Sequence, residues 1–282
     1  MSHFSAPDQY VVIGNPIAHS KSPSIHAHFA GICAQHMEYA RLLAPLDGFA
    51  ASVAAFRQAG GKGANVTVPF KLEAYALATQ LSPRAQLAGA VNTLSFNGDQ
   101  IFGDNTDGVG LVNDIVRNAG IALKNKRILL LGAGGAARGV LLPLLSEQPA
   151  EFVIANRTLS KAEELIVLAQ QHGNGTVKLQ SCVWAALQGR FDLIINATSA
   201  SLSDEVPPIS ATLFDSNTLA YDMMYGAQMT AFLRFAQTQG AQLRDGLGML
   251  VEQAAESFYI WRGVRPETAA LMLELRRALE SQ

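Results

Sequence analysis

Between Arg127 and Arg138 the sequence reads Arg-Ile-Leu-Leu-Leu-Gly-Ala-Gly-Gly-Ala-Ala-Arg, an apolar run that turns through glycines into a helix-forming stretch. Few folds accommodate that order. The pattern is strand, G-x-G-x-x-A, helix: Gly132 permits the tight turn, Gly134 lets an anion approach the backbone, and small Ala137 allows the helix to lie close on the sheet. The N–H groups at the start of that helix suit a pyrophosphate, so a dinucleotide is expected along Gly132, Ala133, Gly134, Gly135 and Ala136. From Ile128 to Leu145 the apolar stretch is interrupted by Arg138, Pro143 and glycines. A membrane span needs about 20 mostly apolar residues, so this stretch reads as a buried strand, a turn and a helix.

The next hundred residues keep the same rhythm. Apolar strands at Glu151–Ala155, Phe191–Asn196 and Thr218–Asp222 alternate with helical segments, which predicts a doubly wound parallel sheet of the Rossmann type. The choice of dinucleotide is read at the end of the second strand, where an enzyme using NAD places an acid for the ribose 2′-hydroxyl. Here that end reads Asn156-Arg157-Thr158, and Glu151 stands at the wrong end of the strand. Arg157 suits a 2′-phosphate, with Lys161 on the same side of the helix start, so NADP is the expected cofactor. Asn156 and Thr158 also suit a turn and a helix cap, a reading that leaves Arg157 merely solvated.

The first hundred residues are α/β as well, with strands at Tyr10–Ile13, Glu38–Leu43 and Ala64–Val68 and helices from Pro23 and over Gly48–Gln58. Asn97-Gly98, between Thr93–Phe96 and Gln100–Phe102, predicts a type I′ hairpin. The domain junction is placed near Asp107, with a linking helix over Val109–Ala119 after it. The last stretches, Leu247–Trp261 and Glu267–Leu279, have helical periodicity, with Leu250, Ala254, Phe258 and Trp261 on one face.

Polar groups cluster at the strand ends of this first half. Ser22 followed by Pro23 reads as an N-cap with proline at N1; Ser20 is not explained by capping, and two hydroxyls beside a helix start can cradle a carboxylate. Asn65 and Thr67 share the strand face that leads to Lys71, whose position in a first helical turn is unfavourable for a cation. A lone lysine is most often a solvated one. The neighbouring Gly89-Ala-Val-Asn92-Thr93 and Gly103-Asp-Asn-Thr-Asp107-Gly108 add amides, hydroxyls and carboxylates, a set suited to an anionic polyol.

Composition excludes other classes. With 49% apolar and 16% charged residues the chain is expected to be globular, and a net charge of −2 offers no footprint for a nucleic acid. Cys33 and Cys182 form no CxxC pattern and are expected as buried, reduced thiols, and His26 and His28 lack the spacing of a helical metal site, so no metal is expected. Met1–Gln9 lacks the features of a secretory signal, which points to the cytoplasm.

Taken together, these blocks resemble the shikimate dehydrogenases, in the form found in enteric bacteria. The likeness runs through GNPIAHSKSP from Gly14, GGKGANVTVPFK from Gly60, AGAVNT from Ala88, GDNTDG from Gly103, GAGGAARG from Gly132, NRT from Asn156, INATS from Ile195, YDMMY from Tyr221 and DGLGMLVEQA from Asp245. The resemblance implies NADPH-dependent reduction of 3-dehydroshikimate to shikimate on the way to chorismate and the aromatic amino acids, by a monomer or homodimer. It implies that Ser20 and Ser22 hold the substrate carboxylate, that Asn65, Thr67, Asn92, Asp107 and Gln253 meet the ring hydroxyls, and that Lys71 and Asp107 are the catalytic pair. Tyr225 is implied on the substrate and, with Met223, Gly246 and Met249, near the nicotinamide end, and Thr198 on the cofactor. It also implies a substrate domain over 1–107, completed by C-terminal helices at 246–282 that return to it, and an NADP domain over 108–245. Whether Lys71 or Asp107 is the formal proton donor stays open.

Two loops depart from the family pattern: Ser199-Ala200-Ser201-Leu202 lacks a usual glycine, and Ala231 stands where a proline usually follows Thr230. A dual quinate and shikimate dehydrogenase is the nearest rival, which Asn156-Arg157 disfavours. A non-catalytic ligand-binding module is a second, which the presence of both Lys71 and Asp107 disfavours.

Overall fold

Buried strands and covering helices sort into two six-stranded sheets. The computed structural model describes residues 6–172 and 175–281; residues 1–5, part of the start read for a secretory signal, lie outside the described residues. One unit runs to Asp107 and takes up Gln253–Leu271; the other comprises Gly108–Glu252 and the residues from Met272.

In the first unit β1 (Asp8–Gly14) is followed by α1 (Ser22–Ile32), β2 (Met37–Leu43), α2 (Phe49–Gln58), β3 (Gly63–Val66), α3 (Lys71–Leu77), β4 (Gln80–Leu81), α4 (Pro83–Ala88), β5 (Thr93–Asn97) and β6 (Gln100–Asp104). The sheet order is β2-β1-β3-β5-β6-β4, parallel among the first three strands and antiparallel across β3, β5 and β6. Val11, Ile13, Val66 and Leu94 pack with Phe49 and Phe70, whose rings stack at 5.0 Å. Burying each such side chain contributes roughly 1.5–3 kcal/mol.

The hairpin forms, but one residue out of the expected register. Asn97 pairs with Gln100, so Gly98 and Asp99 are the central residues. Only Gly98 has positive φ, at 56°. That is the pattern of a II′ turn, with glycine first, and not of the I′ turn expected from Asn-Gly. The short β4 was not anticipated.

Beyond β6 come α5 (Asp107–Asn113), whose first residue still belongs to the first unit, and, in the second unit, β7 (Arg127–Leu131), α6 (Gly135–Ser146), β8 (Glu151–Ala155), α7 (Leu159–His172), β9 (Lys178–Cys182), β10 (Leu193–Asn196), β11 (Leu219–Asp222), α8 (Ala231–Thr238) and β12 (Gln242–Asp245); α9 (Leu247–Arg262) and α10 (Ala269–Glu280) follow, each shared between the two units. All the strands of the second unit are parallel, in the order β12-β11-β10-β7-β8-β9. The unbroken apolar run in β7 now has a reason: Ile128 and Leu130 enter the core on one face of the sheet, Leu129 and Leu131 the core on the other. The unit boundary falls at the first residue of α5, and α9 is divided between the units after Glu252.

The expected linking helix ends in a π-helical turn, Asp114–Asn118. Asp114 is fully buried there. It accepts from Arg244 at 2.7 and 2.6 Å, from the Tyr221 hydroxyl at 2.8 Å and from Asn118 at 3.0 Å. A Cβ on Gly248 would overlap this carboxylate.

The C-terminal helices do not return as a block to the first unit. Residues 246–252 and those from 272 group with the second unit, where Met249 enters the core and Arg276 bonds Asp245 at 2.5 Å. Cys33 and Cys182 are free but only half-buried, not buried as expected. Among the described residues no helix is long and apolar enough to cross a membrane.

Candidate functional site

In the first unit Asn65, Lys71, Asn92, Asp107 and Gln253, all singled out in the sequence, converge on one hydrogen-bonded network. Its centre is Lys71, whose Nζ lies 2.5 Å from Asp107 Oδ2. Backbone pairing brings them together: Val91 N–H donates to the Lys71 carbonyl at 2.9 Å, Val66 N–H to Asn92 at 2.8 Å, and Asn92 N–H to Asp104 at 3.0 Å. Asp104, buried at the end of β6, accepts from Ser82 at 2.5 Å, from both arms of Arg84 at 2.7 and 2.9 Å and from the Asn105 N–H at 2.7 Å. Arg84 also donates to Glu256 on α9 at 3.0 Å. A forked guanidinium on a buried carboxylate restricts the loop that carries Asp107.

The second oxygen of Asp107 accepts from Asn92 Nδ2 at 2.8 Å. That amide also donates to Thr106 Oγ1 at 2.9 Å, while its own oxygen accepts the Thr106 N–H at 2.9 Å. Gln253 Oε1 stands 3.4 Å from both Asn92 Nδ2 and Thr106 Oγ1. Asn65 is buried beside them, and the Tyr39 hydroxyl donates to its oxygen at 2.7 Å. Thr67 is half-buried, its methyl against Gly14 at the end of β1.

Ser22 is not the N-cap of α1. Lys21 occupies that place without a side-chain cap bond, and Ser22 is already helical. Ser20 Oγ instead accepts the Ser22 N–H at 3.3 Å, and Arg41 holds the Ser20 carbonyl at 2.6 Å. The Ser22 hydroxyl lies beside the Tyr39 phenol, whose pKa burial pushes well above 10. Hydroxyls and free N–H groups at a helix start suit an anion. Tyr225 belongs to the second unit. There burial, aided by Asp245, raises its pKa.

Sequence reasoning passed over Tyr39 and Ser257, both of which bond Asn65. Ser257 carried a signal, standing one helical turn beyond Gln253. Tyr39 carried none.

In the second unit the predicted cofactor residues lie along one edge of the sheet. Gly132 follows β7, Asn156 follows β8, Thr198 lies just beyond β10, Met223 follows β11 and Gly246 follows β12. Ligands of open parallel sheets bind at these carboxyl ends, where strand order reverses, here between β7 and β10. Gly132 has φ of 103°, which a side chain would strain. Gly134 is the N-cap of α6 with no side-chain cap bond, and a Cβ built on Gly134 or Gly135 meets nothing within 4 Å. An exposed helix start with room above it fits a pyrophosphate against bare backbone.

Asn156 Nδ2 donates to the Thr158 carbonyl at 2.9 Å, shaping the turn that presents Arg157. Arg157 and Lys161 are exposed and form no ion pair among the described residues. Glu151, at the start of β8, is paired with Arg127 and Lys178. Thr198 donates to Asn196 Oδ1 at 2.7 Å, Met223 N–H donates to the Asn196 carbonyl at 3.1 Å, and Gly246 N–H to the Met224 carbonyl at 3.1 Å. Both loops with departures from the family pattern are tied to buried Asp222: Ser201 and Thr230 each donate to it at 2.6 Å.

Models of three domains match this chain: the shikimate dehydrogenase substrate binding domain over residues 12–94, shikimate / quinate 5-dehydrogenase over 114–203, and the shikimate 5′-dehydrogenase C-terminal domain over 246–274. The shikimate dehydrogenase (NADP(+)) of Herminiimonas arsenicoxydans is 66% identical over 272 residues, 96% of this chain and 98% of that protein. Among solved structures, an Ael1 enzyme from Pseudomonas putida is 50% identical with a TM-score of 0.90, covering 95% of this chain and 98% of that one. The shikimate 5-dehydrogenase of Thermus thermophilus, solved in complex with NADP(H) and shikimate, is 33% identical with a TM-score of 0.84, covering 96% and 100%. With such identity across nearly its whole length, the chain belongs to the shikimate dehydrogenase family.

Proposed function

We propose that Lys71 and Asp107 are the catalytic pair with which this chain, an NADP-dependent oxidoreductase acting on a CH–OH group, reversibly reduces 3-dehydroshikimate to shikimate. The observation that carries the assignment is their contact at 2.5 Å, with the remaining carboxylate oxygen held by Asn92. NADPH, when bound, supplies the hydride for the carbonyl carbon. The oxygen of that carbonyl then gathers negative charge, and a positioned ammonium stabilises it while the proton arrives through the Lys71–Asp107 pair. Asp107 aims the ammonium and balances its charge.

The other roles are those that the family resemblance implies. Ser20 and Ser22 hold the substrate carboxylate at the start of α1, and Asn65, Thr67, Asn92, Asp107 and Gln253 bond the ring hydroxyls, with Tyr225 a further contact. The first unit is thus the substrate domain and the second the NADP domain. Gly132, Ala133, Gly134, Gly135 and Ala136 take the pyrophosphate, and Asn156, Arg157, Thr158 and Lys161 the 2′-phosphate. Thr198 contacts the cofactor, and Met223, Gly246 and Met249 serve its nicotinamide end. The enzyme works in the cytoplasm as a monomer or homodimer.

Lys71→Ala is expected to lower kcat by about 10²- to 10⁴-fold, the usual range for a lost acid or base, while the dissociation constant for NADPH stays within about twofold. Following NADPH absorbance with 3-dehydroshikimate tests this. A variant that keeps more than about a third of wild-type turnover removes Lys71 from the chemistry.

A further inference from the structure

Asn65 stands in β3 with both ends of its amide engaged. Its Nδ2 faces the Asn92 carbonyl at 3.2 Å, the Thr93 hydroxyl at 3.1 Å and the Ser257 hydroxyl at 3.0 Å. The hydroxyls could bond either end of an amide, but a backbone carbonyl can only accept, so the Asn92 carbonyl decides which end points inward. With both N–H bonds directed there, only the carbonyl oxygen remains for other partners. That oxygen accepts the Tyr39 hydroxyl at 2.7 Å.

Tyr39 has no part in the chemistry set out above, yet its hydroxyl is fixed by its surroundings. The ring lies on the His26 imidazole, centroids 4.2 Å apart and planes 7° from parallel, and beside Trp261 at 6.2 Å. His26 is fully buried, and neither of its nitrogens has a hydrogen-bond partner in the protein. It therefore acts as a flat support for the phenol ring and does not compete for the hydroxyl.

We propose that Tyr39 is a positioning residue for the reaction: its hydroxyl holds the Asn65 amide with both N–H bonds turned into the protein, so that Asn65 meets the substrate only as an acceptor. This rests on the reading that Asn65 faces a ring hydroxyl, and it adds which way round the amide stands. An acceptor at this place selects a ring carbon bearing a hydroxyl and rejects one bearing a keto or ether oxygen, whose lone pairs would oppose its own. The reacting ketone can only accept, so it is left to the donor, Lys71. Acceptor and donor together then allow one orientation of the ring.

Tyr39→Phe keeps the ring on His26 and removes the hydroxyl. The expected result is a rise of about tenfold in KM for shikimate, with kcat changed less than about threefold and KM for NADP+ unmoved. In an Asn65→Ala background the same substitution should add nothing further. An unchanged KM for shikimate, or an equal rise in the Asn65→Ala background, overturns the proposal. A measurement on the unaltered enzyme does not depend on the variant folding. In protein labelled with ¹⁵N-asparagine, the Asn65 side-chain NH₂ pair, assigned by its loss in Asn65→Ala, should keep its shifts and slow exchange when shikimate is added. A large shift, showing an N–H on the substrate, also overturns it. Failure of the wild-type enzyme to oxidise shikimate would sink the underlying reading first, and that is seen before any variant is made.

Discussion

Acid should destabilise this protein in part through His26. The imidazole is fully buried among Phe29, Tyr39, Phe258 and Trp261, none of them charged. Burial pushes its pKa from 6.5 down to about 3. The folded chain keeps the ring neutral where the unfolded chain protonates it, so between those two values unfolding takes up a proton. Stability there falls by about 1.4 kcal/mol for each unit the pH is lowered. This contribution is present in full above pH 6.5, has lost about 2 kcal/mol at pH 5 and about 3 kcal/mol at pH 4, and stops falling near pH 3. His26→Leu removes the titration at similar volume. Urea unfolding of both proteins between pH 4 and 7, followed by the fluorescence of Trp261, 5.4 Å from the imidazole, gives the free energies. Their difference should move in favour of the variant by about 3 kcal/mol from pH 7 to pH 4, whatever its value at pH 7. Parallel pH profiles would refute the reasoning, because they would mean that folding does not hold this ring neutral.

Arg157→Ala should weaken NADPH binding by about 10- to 100-fold, the worth of a charge-assisted hydrogen bond, and leave NADH within about twofold. Fluorescence titration with the two nucleotides checks this, and equal weakening of both would assign Arg157 to the turn instead. Arg244→Met should cost about 3–5 kcal/mol of stability, because it strands the fully buried Asp114 carboxylate with only neutral donors. A shift in the urea midpoint equivalent to less than about 1 kcal/mol would contradict that.

The parts of the fold written locally were legible in the sequence. The strands β7 and β8 and the glycine turn after Leu131 were placed from periodicity and turn chemistry alone, because each depends on residues within a few positions. What depended on distant partners was not. The hairpin register follows the pairing of Asn97 with Gln100, so the Asn-Gly signal located the turn but not its central residues. The sequence marks Asp114 as one more polar position on a helix, whereas its burial depends on Arg244, 130 residues further on. The site divided in the same way. Lys71, Asn92 and Asp107 sat in blocks conspicuous by composition, while Tyr39 is an ordinary tyrosine in β2 until β3 brings Asn65 to its hydroxyl. Tertiary geometry also moved the N-cap of α1 from the serine with the best capping chemistry to Lys21.

The close fit of Gly248 over the Asp114 carboxylate has a consequence for how such chains can be recombined. A graft of the segment from residue 247 to 262 taken from a donor with alanine at 248 would bring a methyl group into space the carboxylate already fills. Shortening the acid to make room would in turn leave Arg244 and the Tyr221 hydroxyl facing a gap. Positions 114, 221, 244 and 248 must therefore be inherited as a set, and a crossover in a gene-shuffling library that separates them should be depleted among the folded survivors.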